Sequence, residues 1–135
     1  MRRNFFPTLS MCFSLLLSGA VLADAAPAAV KQLMTQDLVA GAGKEVLMST
    51  VTYPPGGASP PHRHDAQVFV YVLEGELIMQ VRGGPKVSLK PGDTFYESPS
   101  DLHEVSANAS KTAPAKFLVF IIKDKGAPTT RAATP

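Results

Sequence analysis

Residues 62–75 read HRHDAQVFVYVLEG, and the alternation in this stretch decides the fold. Side chains in an extended segment point to opposite faces with period two. If His62 and His64 share a face, their parity continues through Ala66, Val68, Val70 and Val72, provided no bulge intervenes. Phe69, Tyr71 and Leu73 then occupy the other face. A strand apolar on both sides needs cover on both sides, because an antiparallel sheet facing water alternates with polar residues. One face therefore belongs to a core. The other calls for a second layer of the same chain or a second subunit, and in so short a chain a homodimer is the expectation.

Moving outward, short β-rich runs alternate with Pro/Gly punctuation, and no convincing helix intervenes. Val46 to Tyr53 reads as a strand ending at Pro54-Pro55-Gly56-Gly57. Gln67 to Leu73 is the next, then Leu77 to Arg82, which Gly83-Gly84 turns into Lys86 to Lys90. Pro91-Gly92-Asp93 leads into Thr94 to Glu97, and His103 to Ala107 and Ala115 to Lys123 complete the set. Strands at this spacing, without an internal repeat, predict a single all-β domain, a sandwich or barrel, over residues 41–124. Residues 24–40 read as a flexible N-terminal segment with a possible first strand. The Gly/Pro/Thr/Ala-rich tail 125–135 reads as disordered.

The chain has 135 residues, enough for one domain. Arg2 and Arg3 followed by the apolar, serine-punctuated run Leu9 to Leu22, with small residues at Ala23 and Ala25, have the layout of a signal peptide over residues 1–23. The apolar run falls short of the ~18 residues a spanning helix needs. Arg2-Arg3-Asn4-Phe5-Phe6 also resembles a twin-arginine signal, without the usual Ser/Thr before the arginines. A periplasmic or secreted protein, free of the membrane after cleavage, is the expectation. Cleavage would lower Lys+Arg from 13 to 11, against 11 Asp+Glu. A near-neutral chain gives no electrostatic case for nucleic acid or anionic membrane as a partner. The one cysteine, Cys12, would leave with the leader, so thiolate metal sites and disulfides are excluded from the domain.

Three histidines carry the chemistry. His62 and His64, two residues apart in an extended segment, can aim both imidazoles at one point, and His103 stands at another loop-to-strand junction. Neutral imidazole is a good ligand for divalent Mn, Fe, Ni, Cu or Zn. The competing reading is three histidines satisfied by local hydrogen bonds. No phosphate-binding glycine loop and no Ser-His-Asp or Cys-His arrangement is present.

Gly56, five residues, His62, one residue, His64, and then Gly75 resembles the first motif of the cupin superfamily; Gly92, ten residues, then His103 resembles the second. Val72-Leu73-Glu74-Gly75-Glu76 and Lys90-Pro91-Gly92-Asp93 look like the flanking turns. The resemblance spans about residues 45 to 122. It implies an antiparallel jelly-roll barrel (a double-stranded β-helix) with His62, His64 and His103 as ligands of one divalent metal ion in its interior.

The chain departs from that pattern in places. The first motif normally supplies a glutamate where this chain has Val68. Gln67, one residue off, would need a bulge to turn inward. Glu97 is a second candidate ligand, with an ordinary strand-end acid as the alternative. The second motif's Pro-x-Gly is replaced by Pro99-Ser100-Asp101, and its asparagine is displaced to Asn108. Val68, Val70 and Val72, with Met79, Phe95 or Phe117, would wall an apolar pocket suited to a small apolar or aromatic substrate. Tyr71 and Tyr96 are possible proton donors as well as packing residues. The resemblance suggests oxygenase, isomerase or lyase chemistry, with dioxygenase-like oxidation favoured. A non-catalytic metal or small-ligand module and a barrel with a decayed site are the alternatives.

Overall fold

The computed structural model describes residues 26–99 and 101–133; the expected signal peptide lies outside them. The described chain is all β, with strands β1 (Ala29–Asp37), β2 (Lys44–Tyr53), β3 (Ala58–Ser59), β4 (His62–Arg63), β5 (Ala66–Glu74) and β6 (Leu77–Val81). There follow β7 (Val87–Leu89), β8 (Thr94–Glu97), β9 (Leu102–Asn108), β10 (Ala115–Asp124) and β11 (Arg131–Ala132). One sheet runs β1-β2-β10-β5-β8 and the other β11-β4-β9-β6-β7, with β3 added on β9. All the pairings are antiparallel. The two sheets form the expected jelly roll.

The period-two reading of residues 62–75 describes β5 closely. Ala66, Val68, Val70 and Val72 are buried, while Gln67, Phe69, Tyr71 and Leu73 are exposed. Their inward row packs with Leu47 and Tyr53 of β2, Leu77 and Met79 of β6, and Phe117, Val119 and Ile121 of β10. Between β5 and β6 the chain turns at Gly75, whose φ is +75° and where a Cβ would stand 2.7 Å from the Pro114 carbonyl oxygen. Only glycine fits there.

The outer face of the five-stranded sheet has no covering layer among the described residues. Tyr96, Phe69, Phe120, Met48 and Met34 stand opposite one another in one row across all five strands. Phe69 is 41% exposed and Tyr96 48%. Tyr71 and Tyr96 lie on this outer face, so neither serves the barrel interior as a proton donor.

Both flanking segments are more ordered than their composition suggests. β1 is a nine-residue strand on the edge of the five-stranded sheet. Residues 125–133, expected to be disordered, instead fold back: β11 pairs with β4, and Arg131 forms an ion pair with Asp65. The physical reason is that β4 offers an unpaired edge, which a tail poor in large apolar residues can satisfy with backbone alone.

Candidate metal centre

Three local features bring the histidines together. β4 pairs with β9 so that His62 stands directly opposite His103. His64 lies where the chain leaves the six-stranded sheet at β4 and enters the five-stranded one at β5. On β9, the register against β6 slips between Gln80 and Val81: Val105 faces Gln80, but His103 faces Val81. Glu104 is the extra residue of this bulge, and without it His103 would have opposite parity to inward-facing Ser106 and Asn108. The bulge turns His103 inward, where it is 3% exposed.

One nitrogen from each of His62, His64 and His103 lies within 4.8 Å of the others. The His62 and His64 rings are nearly perpendicular, their centroids 4.9 Å apart, and the His62 and His103 centroids are 5.0 Å apart. Nitrogens sharing an ion at ~2.1 Å lie roughly 3.0–4.2 Å apart, so a small inward turn of the rings closes the set.

The hydrogen bonds set the chemistry of two rings. His62 Nδ1 is 2.8 Å from the Pro60 carbonyl oxygen, and His64 Nδ1 is 2.5 Å from that of Thr129. A carbonyl only accepts, so both Nδ1 atoms carry the proton and both Nε2 atoms are left as free ligands. Neither nitrogen of buried His103 has a hydrogen-bond partner. Buried polar atoms without partners are rare and mark a missing ion or water. The donor set therefore fits a metal ion. Burial holds the His62 pKa below its ordinary value of 6.5, against the opposing pull of the Pro60 carbonyl, with the neighbouring His103 and His64 adding to the lowering. The neutral, ligating form is favoured.

Glu97 joins this site and Gln67 does not. Gln67 is exposed on the outer face of β5, with no bulge to turn it inward. Glu97 is 2% exposed and stands directly opposite Val68 on the inner face. Its Oε1 is 3.0 Å from His103 Nδ1 and its Oε2 is 4.0 Å from His64 Nε2. A carboxylate from the neighbouring strand thus stands beside the histidines, while the atoms that could share one ion are those of the three histidines. Asn108 braces a loop instead. Its amide donates to the Pro54 and Ala113 carbonyls, and its side-chain oxygen accepts from the Ser110 N–H.

The histidines and Glu97 border a cavity of about 190 Å³ walled by Val68, Val70, Met79, Phe117, Val119 and Ile121. Val72 and Phe95 are not part of that wall; Phe95 stacks beside His103 at 5.8 Å. Sequence reasoning missed a hydroxyl cluster on it, in which Tyr53 Oη bonds Ser59 Oγ at 2.6 Å and Ser106 Oγ at 2.8 Å. The parity of β2, which buries Leu47, Ser49 and Tyr53 together, is the signal that could have found Tyr53.

The sequence model of the family described as cupin domain matches residues 49–121, more than half of the chain. The chain belongs to the cupin family. No curated protein matches it. Among solved structures, this cupin is similar to oxalate oxidase in complex with the substrate analogue glycolate, at 26% identity and a TM-score of 0.62. That match covers 88% of this chain and 62% of the other. It is also similar to the DMSP lyase DddQ from Ruegeria pomeroyi DSS-3, at 25% identity and a TM-score of 0.55, over 62% of this chain and 41% of that one. The protein TT1209 from Thermus thermophilus matches at 26% identity and a TM-score of 0.59, over 72% and 84% of the two chains. This cupin therefore spans less than two thirds of the length of the first two.

Proposed function

We propose that this cupin is an exported, homodimeric metalloenzyme. It holds one divalent ion on His62, His64 and His103 and acts on a small neutral molecule, apolar or aromatic, by dioxygenase-like oxidation. The observation that carries the metal reading is the convergence of three imidazoles, one with both nitrogens buried and without a hydrogen bond, beside an apolar cavity. When bound, the ion supplies an open coordination position with Lewis-acid or redox chemistry.

The chain's own residues select what enters. An apolar cavity of ~150 Å³ accommodates benzene, so a space of about 190 Å³ suits a ligand of similar or slightly larger size. No lysine or arginine lines it, and Glu97 is its one carboxylate among the described residues. An organic dianion would have to rely on the metal alone, whereas a neutral ring meets valine, methionine and phenylalanine walls. The Tyr53–Ser59–Ser106 hydroxyls can hydrogen-bond one polar substituent on such a ring. The names of the oxidase and the lyase similar to this chain support a small-molecule substrate.

The test is metal analysis of protein purified from its native compartment, followed by a dioxygen-uptake screen with small aromatic substrates. Stoichiometric Mn, Fe, Ni or Cu with uptake supports the reading, and zinc that washes out below stoichiometry overturns it. The replacement of the first-motif glutamate by Val68 favours a second reading, a non-catalytic binding module. Stoichiometric metal with no substrate turnover would select it.

Acid should empty the site. The ligands must be neutral, and His62 resists protonation more in the folded chain than in the unfolded one. Its contribution to stability is therefore intact above about pH 6.5 and is lost as pH falls from there toward its lowered folded value. Metal content and the urea midpoint should both be lower at about pH 5.5 than at about pH 8.

A second copy is the proposed occupant of the outer face, because the row from Tyr96 to Met34 carries no charge that a charged partner could match. Phe69→Glu should convert a dimer into monomer in sedimentation velocity.

A further inference from the structure

Residues 126–133 leave β10 and run along the wall of the cavity, held unequally at their two ends. At the root, Lys123 is buried and paired with Glu45, and its Nζ donates to the Ala127 carbonyl at 2.7 Å. Glu45 Oε1 also accepts from the Gly126 N–H at 3.2 Å. The far end is held by a two-residue ladder, Arg131 opposite Arg63 and Ala132 opposite His62, and by the exposed Arg131–Asp65 ion pair. Exposed ion pairs are weak restraints, and two-residue ladders open easily. Between the two ends, Thr129 and Thr130 form part of the cavity wall, and the Thr129 carbonyl receives the His64 Nδ1–H.

We propose that residues 128–133 are a strap, hinged at its buried root, that gates the cavity and positions His64 through the Thr129 carbonyl. In the closed position that carbonyl keeps the proton on Nδ1 and so presents Nε2 as the ligand. Lifting the strap opens the cavity and frees the His64 ring to turn or change tautomer. Access for a small molecule and retention of the ion are then coupled, because both depend on the same segment. The positioning role stands on the hydrogen bond itself, whereas the effect on metal retention rests on the metal reading above.

The experiment compares the full chain with a chain ended at Ala127, which keeps the buried root. Arg131→Asp, and that change combined with Asp65→Arg, give a second route that leaves the chain length unchanged. Each is loaded with Co(II), and removal by EDTA is followed by absorbance. Loss of a partner that orients a metal-bound histidine typically weakens binding by ~10–100-fold, so removal should quicken by about tenfold or more in the shortened chain. It should quicken severalfold in Arg131→Asp and return to the full-chain rate in the charge-swapped pair.

Nitrogen-15 NMR of metal-free protein reads the His64 tautomer directly. The full chain should show the Nδ1–H form, and the shortened chain should lose it. Removal rates within twofold of the full chain in every variant, together with an unchanged tautomer, would overturn the strap. If the full chain takes up no cobalt, the metal reading falls, and the tautomer comparison alone decides the positioning role, for it or against it.

Discussion

His103→Leu should abolish stoichiometric metal binding while the chain stays folded. Both ring nitrogens of His103 are buried without a hydrogen bond, and Glu97 Oε1 lies 3.0 Å from Nδ1. Leucine fills a comparable volume beside Phe95 and offers an ion no ligand atom. Removing a direct ligand should lower affinity by more than the ~100-fold upper range seen when only an orienting partner is lost. His62→Ala and His64→Ala should lower metal content as sharply. Metal content by mass spectrometry and urea unfolding in chelator are the two measurements. A His103→Leu protein that still carries one ion per chain would remove the histidine trio from the site.

Glu97→Val should weaken metal binding by about 10–100-fold, and adding Val68→Glu should restore most of it. Residues 68 and 97 are direct cross-strand neighbours, both buried on the inner face. Directly opposed side chains have Cβ atoms only ~4.5–5.5 Å apart, within the reach of one glutamate. A carboxylate from either strand can therefore approach the same imidazoles and offset the charge of an ion that three neutral rings leave uncompensated. Val68→Glu alone should do little for binding and should destabilise the metal-free chain, because it buries a second carboxylate beside the first. Competition titration with Zn(II) reads all three variants. Equal affinity for wild type and Glu97→Val would leave Glu97 as a buried acid with no part in the site.

The barrel was legible because period two is a local property. The rows at Val68, Val70 and Val72 and at Phe69 and Tyr71 are set by strand geometry and burial, and need no knowledge of the partner strands. The spacing of Gly56, His62, His64, Gly92 and His103 was legible for the same reason, since turns and short strands are specified within a few residues.

What lay beyond reading depended on register between distant segments. Glu97 enters the site because β8 pairs with β5 in the one register that sets it opposite Val68; Gln67 stays outside because β5 contains no bulge before it. His103 faces inward only because Glu104 is accommodated as an extra residue against β6. The tail 125–133 has little to bury, so composition reads it as disordered, yet the free edge of β4 and the ring of His64 give its backbone partners. Local alternation and spacing were enough to specify the all-β class, the inward row and the three histidines. Which carboxylate and which carbonyl meet those rings emerged on folding, because hydrogen-bond register is set between strands and not along one.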